Sequence, residues 1–393
     1  MFKSNLDHLI LLTAVILYSP FLFLGYGSDM DTYNVLEAGR NFARTLDYVP
    51  SRGPGFFVFE TITYILDQIG GSLLTNLTIM GMALIILYGF MRLCREYDIP
   101  NYRILTLALM VHAFFWYNAT TTMDFLMALG FTFLGIIQVR RGHYFTAGAS
   151  FALGAGSRLT SVLFAGGFLL WQFIIEPGNR MKLLQTGLVF GVFTLVFYMP
   201  PADFAQWTTR FLVASVGGEE YWSPLLRVGR FAYKNLLFWS IPVALLLGFI
   251  IIQGIIRTRW TFFSKHRGLP LVAALTILLY EAFYFSIPTE PSYLIPTIPL
   301  WLIVFGAAAG EPSERSEQSE RKWPSIALAA SLLVTGIVTL NIARPDMQNR
   351  ATAAEYGLWV EPGHLVKETR IRINYQKCGH PACNAVHKPA PTR

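Results

Sequence analysis

Long apolar runs, separated by short polar loops, dominate the chain. A membrane-spanning helix needs about 20 mostly apolar residues, and eleven runs approach this length. They are Leu9–Gly25, Thr75–Leu93, Tyr102–Trp116, Met123–Val139, Tyr144–Ala155, Leu159–Ile175, Leu183–Met199, Leu236–Ile256, Leu269–Ile287, Tyr293–Ala308 and Ser325–Leu340. The apolar stretch Phe56–Ile69 is shorter, which predicts a helix that lies at the membrane surface or dips into it. The pattern predicts an all-α integral membrane protein with about eleven transmembrane helices.

The basic residues of the short loops predict how these spans are oriented. Cytoplasmic loops carry an excess of Lys and Arg, and one alternate set of loops carries nearly all of them here. In the opposite short loops, Arg158 is the only basic residue. The N-terminus is therefore expected in the cytoplasm. Three longer segments are expected outside: 26–74, 200–235 and 341–393. Because ten further spans follow the first run, a cleaved signal peptide is not predicted.

The composition supports this interpretation. The chain is 53% hydrophobic and 14% charged, and its mean hydropathy is +0.44. A soluble protein carries about a quarter charged residues, so an ordinary soluble enzyme, a disordered protein and a nucleic-acid binder are excluded. The net charge of +7 is assigned to membrane topology rather than to a nucleic-acid partner. We expect a transmembrane domain over residues 1–341 and a polar extracytoplasmic tail over residues 342–393.

The first extracytoplasmic loop contains two acids in three residues, Asp29 and Asp31, at the end of the first span. They either cap that span or act in chemistry. From Asp31 to Arg44 the apolar residues recur at roughly helical spacing. This spacing predicts an amphipathic helix that lies flat on the membrane.

The same loop then places Arg52 between two Pro-Gly-rich elements in Val49–Phe56. Prolines and glycines fix an irregular backbone. One interpretation is a turn between two surface helices. The other is an arginine held rigidly for an anion, because the guanidinium group matches the geometry of phosphate oxygens.

Charged residues also lie near the ends of later spans. Asp124 and Arg158 are expected at the extracytoplasmic rim, and Glu281 lies deeper. An ionisable group in a membrane segment usually faces a cavity or a partner, although Arg158 could also extend its side chain to the interface. Glu290 and Tyr293 lie in a proline-rich loop before a later span.

These motifs, in this order, resemble those of the GT-C superfamily of polytopic glycosyltransferases, in the branch of the aminoarabinose lipid A transferases and protein O-mannosyltransferases. Asp29-Met30-Asp31 is similar to the acidic pair of the first loop, with Met30 in place of a glutamate, and Tyr33 has the matching spacing. The other similar elements are Arg52-Gly53-Pro54, Thr121-Thr122-Met123-Asp124, Gly154–Leu159 and Ser292–Pro299, where Ser292 replaces the usual arginine. The resemblance covers roughly residues 9–310.

The resemblance implies a sugar donor linked to a polyprenyl phosphate and transfer on the extracytoplasmic face. It implies catalytic roles for Asp29 and Asp31 and binding of the donor phosphate by Arg52 and Arg158. The residues expected to contact substrates are Tyr33, Asp124, Glu290 and Tyr293. A single carboxylate base predicts inversion at the anomeric carbon. We assign no metal ligand, although an acidic pair is compatible with a divalent cation, and we assign no other cofactor.

The absence of a large soluble domain favours a glycolipid or polysaccharide precursor as the acceptor. The expected location is the bacterial inner membrane, with the endoplasmic reticulum as the alternative, and the C-terminus is expected outside the cytoplasm. The alternative function is a transporter or flippase for a lipid-linked or small solute, which would place charges near mid-membrane and show repeated halves. A non-catalytic scaffold is a third class. In the tail, Cys378 and Cys383 predict either a small disulfide loop or, with the nearby histidines, a metal site.

Overall fold

The computed structural model describes residues 2–53, 56–199, 224–310, 322–345 and 354–378. Helices form most of this part of the chain. They are α1 Phe2–Tyr18, α2 Met30–Thr45, α3 Phe57–Glu96, α4 Tyr102–Val111, α5 Ala113–Asn118, α6 Asp124–Arg140, α7 Tyr144–Ser157, α8 Ser161–Ile175, α9 Arg180–Tyr198, α10 Pro224–Trp239, α11 Ile241–Thr258, α12 Leu269–Ser286, α13 Ile298–Ala309, α14 Trp323–Ile337 and α15 His364–Cys378. Short 3-10 helices extend α1 at Ser19–Phe23 and precede α13 at Pro291–Thr297.

The chain divides into two compact units. The first unit comprises Met1–Phe90, Tyr117–Tyr221 and Glu368–Arg393, and the second comprises Met91–Trp116 and Trp222–Lys367. The core of the first unit lies around α6, α7, α8 and α9, whereas α4 packs with α13 and α14 in the second. The domain boundary expected between residues 341 and 342 stays a prediction.

The protein is a multi-pass membrane protein. Among the described residues, six helical segments are long and apolar enough to cross a membrane: Asn5–Phe23, Phe57–Glu96, Pro177–Tyr198, Ile241–Thr258, His266–Ser286 and Pro291–Ala309. The other five predicted spans coincide with shorter helices, namely α4, α6, α7, α8 and α14. Eleven spans are thus an approximate count, and the orientation of the termini stays a prediction.

Two predicted spans are interrupted in the structure. The run Tyr102–Trp116 is broken at His112, which is extended between α4 and α5. The run Leu236–Ile256 is broken at Ser240, whose φ of 62° is incompatible with a continuous helix. Pro242 lies in the first turn of the helix that follows, where proline is tolerated because its missing N–H has no helical partner.

The last predicted span, Ser325–Leu340, is wrong at its end. Helix α14 ends at Ile337, and Val338–Pro345 forms strand β1. This strand pairs antiparallel with β2, Ala354–Pro362, and the register places Leu340 opposite Val360. The β-branched residues that end the apolar run suit a strand as well as a helix, so hydropathy alone places this boundary too late.

The two helices predicted in the first loop are both present. Helix α2 contains the whole predicted segment Asp31–Arg44. Its buried residues Thr32, Val35, Leu36 and Gly39 follow helical spacing. The apolar stretch predicted as a separate helix forms the first part of α3. It ends at the glycine pair Gly70–Gly71, where the helical dihedral angles are interrupted.

Helix α2 lies very close to the first part of α3. A Cβ atom added at Gly39 would come within 2.5 Å of the Tyr64 Cβ atom and 3.1 Å of the Glu60 carbonyl oxygen. A side chain at position 39 would therefore force these helices apart. Gly148 has the same role between α7 and α9, because a Cβ atom there would lie 2.6 Å from the Thr186 carbonyl oxygen.

Candidate active site

A buried carboxylate with two arginine partners forms the centre of the candidate site. The Asp124 side chain is fully buried. Its Oδ1 accepts a hydrogen bond of 2.7 Å from Arg52 Nη2, and its Oδ2 accepts one of 2.6 Å from Arg158 Nη1. A buried charge needs an oppositely charged, hydrogen-bonded partner. Asp124 has two, so this ion-pair cluster joins residues that lie far apart in sequence.

The cluster continues from Arg52 to Asp31, whose carboxylate accepts a hydrogen bond from Arg52 Nη1. Side-chain exposure rises along the series, from 0% for Asp124 and 8% for Arg158 to 19% for Arg52 and 32% for Asp31. The cluster therefore has a buried end and an accessible end. A ligand would reach Arg52 and Asp31 first.

Aromatic rings complete the surroundings of the two guanidinium groups. The Arg52 guanidinium lies 4.5 Å from the ring centroid of Phe56, and that of Arg158 lies 4.2 Å from the centroid of Phe125. Such cation–π contacts favour the charged form and restrict the side chain. The rings also exclude water, which strengthens the ion pairs that they cover.

Local structure explains how each member is positioned. Asp31 and Asp124 both lie in the first turn of a helix, α2 and α6 respectively, where the helix dipole stabilises a negative charge. Arg158 is extended at the end of α7. Arg52 lies in the loop between α2 and α3, so its position depends on how that loop is held.

Glu60 holds this loop, and the sequence analysis did not single it out. Glu60 is buried; its Oε1 accepts hydrogen bonds from the Ser51 amide at 3.0 Å and the Ser51 hydroxyl at 2.5 Å. Its Oε2 accepts one of 2.6 Å from the Tyr48 hydroxyl. Burial, followed by the nearby Glu60 charge, raises the pKa of Tyr48 well above its usual range, so Tyr48 remains a neutral donor. The residue adjacent to Arg52 is thus tied to α3.

Asp29 has a defined structural role in addition to the predicted catalytic one. It is the N-cap of α2, and its Oδ1 accepts a hydrogen bond of 3.0 Å from the Asp31 amide. An aspartate at this position satisfies an amide that has no helical partner. The structure thus shows that Asp29 caps the helix, and its catalytic role stays a prediction. Asp29 lies two residues before Asp31, a member of the ion-pair cluster.

Arg372 of α15 is a second residue that the sequence analysis missed. It is 1% exposed, and it donates to the carbonyl oxygens of Phe21 (2.9 Å), Leu24 (3.2 Å), Gly25 (3.2 Å) and Thr120 (2.8 Å), and to the Thr120 hydroxyl (3.1 Å). Burial lowers the pKa of its guanidinium group to about 10, which leaves it charged at neutral pH. No sequence signal marked it, because it lies in a polar segment more than 250 residues along the chain from all of these partners.

Direct hydrogen bonds also link the chain after α1 to the chain before α6. The Thr122 amide donates to the Tyr26 carbonyl oxygen at 2.7 Å. The Thr122 hydroxyl donates to the amide oxygen of Asn76 at 2.8 Å, and the Asn76 amide nitrogen donates to the carbonyl oxygens of Leu22 (3.0 Å) and Gly25 (2.7 Å). These contacts also hold the segments that carry Asp31 and Asp124 next to each other.

The remaining predicted residues lie elsewhere in these two units. Tyr33 is on α2, with its ring edge-on to Tyr26 at a centroid distance of 6.2 Å. Glu290 and Tyr293 belong to the second unit, where the Tyr293 ring packs edge-on to Tyr284 at 6.4 Å. Glu281, also in the second unit, accepts a hydrogen bond of 3.2 Å from Asn235.

The remaining metal and cysteine predictions are not tested by these contacts. Among the described residues, no group of three or more His, Cys, Asp and Glu side chains could hold a metal ion. The predicted partner cysteine Cys383 and the histidines near it lie outside the described residues. The disulfide or metal site of the tail therefore stays a prediction.

Comparison with known proteins identifies a fold. Two solved structures of ArnT from Cupriavidus metallidurans match this chain. The apo structure has a TM-score of 0.51 at 16% identity, covering 81% of this chain and 62% of ArnT. The structure bound to undecaprenyl phosphate has a TM-score of 0.53 at 18% identity, covering 83% of this chain and 64% of ArnT. The chain has the fold of ArnT. This likeness confirms the fold that the sequence resemblance implies.

The likeness to ArnT extends no further than the fold. The chain spans less than two thirds of the length of ArnT, and no family model and no curated protein matches its sequence. The roles of individual residues stay predictions, which rest on the geometry described above.

Proposed function

We propose that the protein transfers a sugar from a polyprenyl-phosphate donor to an acceptor hydroxyl at the extracytoplasmic membrane surface, with inversion at the anomeric carbon. The observation that carries the proposal is the cluster of Asp31, Arg52, Asp124 and Arg158. Its accessible end presents a guanidinium group and a carboxylate beside the N-cap Asp29. The ArnT fold, seen with undecaprenyl phosphate in the relative, supports a lipid-phosphate donor.

The arginines supply the electrostatic part of the reaction. When the bond between the anomeric carbon and the phosphate oxygen breaks, negative charge collects on the departing polyprenyl phosphate. Preorganised cations stabilise that charge. Arg52, the more accessible arginine, contacts the phosphate, while Arg158 reinforces the site from its buried side. Asp124, whose two oxygens both accept arginine hydrogen bonds, holds the guanidinium groups in place rather than contacting a sugar hydroxyl.

Asp29 supplies the base. The acceptor oxygen forms the new bond to the anomeric carbon, the donor phosphate oxygen leaves with the bonding electron pair, and the acceptor proton passes to the Asp29 carboxylate. Asp31, paired with Arg52, orients the arginine and the acceptor. Tyr33, Glu290 and Tyr293 are proposed to contact the substrates. The acceptor is proposed to be a glycolipid or polysaccharide precursor.

The test compares Asp29→Asn with the wild-type protein. Asparagine caps a helix about as well as aspartate, so the variant is expected to fold normally and to lose its base. Purified protein is incubated with a panel of polyprenyl-phosphate sugars, and transfer and donor hydrolysis are measured. We expect about a 100-fold or larger loss of turnover, within the range for removal of a general base.

Two results would contradict the proposal in different ways. Full turnover by Asp29→Asn would remove Asp29 as the base while leaving a glycosyltransferase. Absence of turnover by the wild-type protein with every donor, combined with movement of the lipid across the bilayer of proteoliposomes, would favour the flippase alternative.

A further inference from the structure

The C-terminal helix reaches the segments that carry the acidic residues. Arg372 lies on α15, and its acceptors belong to two segments of the first unit. One segment lies at the end of the first span and supplies the carbonyl oxygens of Phe21, Leu24 and Gly25. The other lies just before α6 and supplies Thr120. Asp29 and Asp31 follow Gly25 by four and six residues, and Asp124 follows Thr120 by four. The Arg372 side chain therefore forms hydrogen bonds with residues that lie shortly before both acidic segments.

The chemistry of this contact suits arginine in particular. Backbone carbonyl groups near the end of a helix carry partial negative charge, and several of them lack a helical hydrogen-bond partner. A planar guanidinium group offers five donors in a fixed arrangement. Arg372 uses Nε, Nη1 and Nη2 for these bonds. Lysine would keep the charge but could not reproduce the arrangement.

A second contact from α15 joins the same region. The Ser28 hydroxyl donates a hydrogen bond of 2.5 Å to Glu368 Oε2. The Ser28 amide donates to the Tyr117 hydroxyl at 3.2 Å. Ser28 directly precedes the N-cap Asp29, so Glu368 helps to fix the residue from which α2 begins. Glu368 and Arg372 are four residues apart, one turn of the helix, and so lie on the same face of α15.

We propose that Arg372 is a positioning residue for the candidate active site, which joins the end of the first span to the segment before α6 and thereby sets the distance between Asp31 and Asp124. The sequence predicts a polar tail here, with either a disulfide loop or a metal site near its end, and none of the catalytic or substrate-binding residues proposed above lies in it. The structural part of this proposal is independent of the reaction. Its effect on turnover rests on the proposed function.

Hydrogen exchange on the full-length protein in lipid nanodiscs tests the structural part. The matched variants are Arg372→Gln and Arg370→Gln, because Arg370 is an exposed arginine on the same helix. The informative amides lie in residues 21–31 and 118–124. Among them is the Thr122 amide, which donates across the two segments to Tyr26.

We expect Arg372→Gln to raise exchange in both segments by about tenfold or more, as local opening becomes easier, while Arg370→Gln leaves them unchanged. Arg372→Lys should give an intermediate increase, since the charge remains. Equal exchange in Arg372→Gln and Arg370→Gln would overturn the proposal. If Arg372→Gln does not fold, Thr120→Ala removes one acceptor and should raise exchange in the same segments. Unchanged exchange in that variant would overturn the proposal as well.

Steady-state kinetics test the functional part. With a donor that the wild-type protein turns over, Arg372→Gln should lower kcat by about tenfold or more at a nearly unchanged KM, because misplaced groups slow the chemical step. Arg370→Gln should not change either constant. An unchanged kcat despite faster exchange would overturn the positioning role. A wild-type protein that is inactive with every donor would contradict the proposed function instead. Hydrogen exchange would still test whether Arg372 holds the two segments together.

Discussion

Asp124 and Glu60 are both buried carboxyl side chains of the first unit, yet they are held by different kinds of partner. Asp124 accepts hydrogen bonds from two arginines, whereas Glu60 accepts them from the hydroxyls of Tyr48 and Ser51 and from a backbone amide. The comparison separates two tasks. The Asp124 region concentrates charge of both signs in one place, and the Glu60 region shapes a loop without adding a cation.

The two regions depend on each other through the Arg52 loop. Glu60 bonds to Ser51, and the next residue is Arg52, which bonds to Asp124. A change at Glu60 should therefore disturb the position of one guanidinium group, whereas a change at Asp124 should remove the counter-charge of two. The following variants are ordered from the largest expected effect to the smallest.

Replacement of Asp124 by leucine should be the most destabilising. It leaves the Arg52 and Arg158 guanidinium groups without their shared carboxylate, and loss of one partner from a buried ion pair costs about 3–5 kcal/mol. The free energy of unfolding in detergent, measured by denaturant titration, checks this. The double variant Asp124→Leu/Arg158→Met should recover about 1 kcal/mol or more, because it also removes an uncompensated buried charge. A double variant less stable than Asp124→Leu would show that the ion pair is not the dominant interaction here.

Replacement of Glu60 by glutamine should have an intermediate effect. Glutamine offers one acceptor oxygen, so it can serve the Tyr48 hydroxyl or the Ser51 groups but not both. Leaving a buried polar group without its partner costs about 1–3 kcal/mol. The matched control is Glu37→Gln at an exposed position of α2. In the same unfolding titration, Glu60→Gln should lower the free energy of unfolding, whereas Glu37→Gln should leave it unchanged. Equal stability of the two variants would contradict the proposed role of Glu60 in holding the loop.

Replacement of Tyr48 by phenylalanine removes the hydroxyl that donates to Glu60 and accepts a hydrogen bond of 3.2 Å from the Phe56 amide. It should cost about 1–2 kcal/mol, at about 1 kcal/mol for each hydrogen bond. The ring stays in place, where it packs edge-on to Phe42 and Phe57, and the hydroxyl is lost. Combined with Glu60→Gln, the change should be less than additive, since both variants remove the same bond. Strict additivity in this double-mutant cycle would indicate that the Tyr48–Glu60 bond contributes nothing to stability.

Replacement of Asp31 by asparagine should have the smallest effect on stability. Asp31 is the most exposed member of the cluster, at 32%, and exposed ion pairs contribute at most about 1 kcal/mol. Its effect should instead appear as a loss of turnover. A loss of stability as large as that of Asp124→Leu would remove the distinction between an accessible and a buried end.

Hydrophobic periodicity predicted much of the fold because the bilayer imposes it. Every predicted span overlaps a helix, and α2 begins and ends within one residue of its predicted bounds. The breaks at His112 and Ser240 were missed, since both occur inside continuous apolar runs where hydropathy is insensitive to backbone geometry. Strand β1 was missed for a similar reason, because Val338 and Leu340 fit a span and a strand equally well.

The candidate site was predictable where a charge interrupts an apolar background. Asp124 and Arg158 stand out for this reason, and Arg52 stands out through its prolines and glycines. That Asp124 binds both arginines could not be read from their spacing, because it depends on the packing of three helices and a loop. Glu60 was missed within an apolar helix, and Arg372 within a segment of ordinary polar composition.

The position of Arg372 in the chain has a consequence for biosynthesis. Phe21 and Leu24 leave the ribosome roughly 350 residues before the guanidinium group that binds their carbonyl oxygens. Domains fold progressively during synthesis. The earlier spans can therefore be inserted into the bilayer before Arg372, which donates to these carbonyl groups, has been synthesised. Translation that stops before α15 would leave the carbonyl groups of Phe21 and Leu24 without the Arg372 guanidinium group.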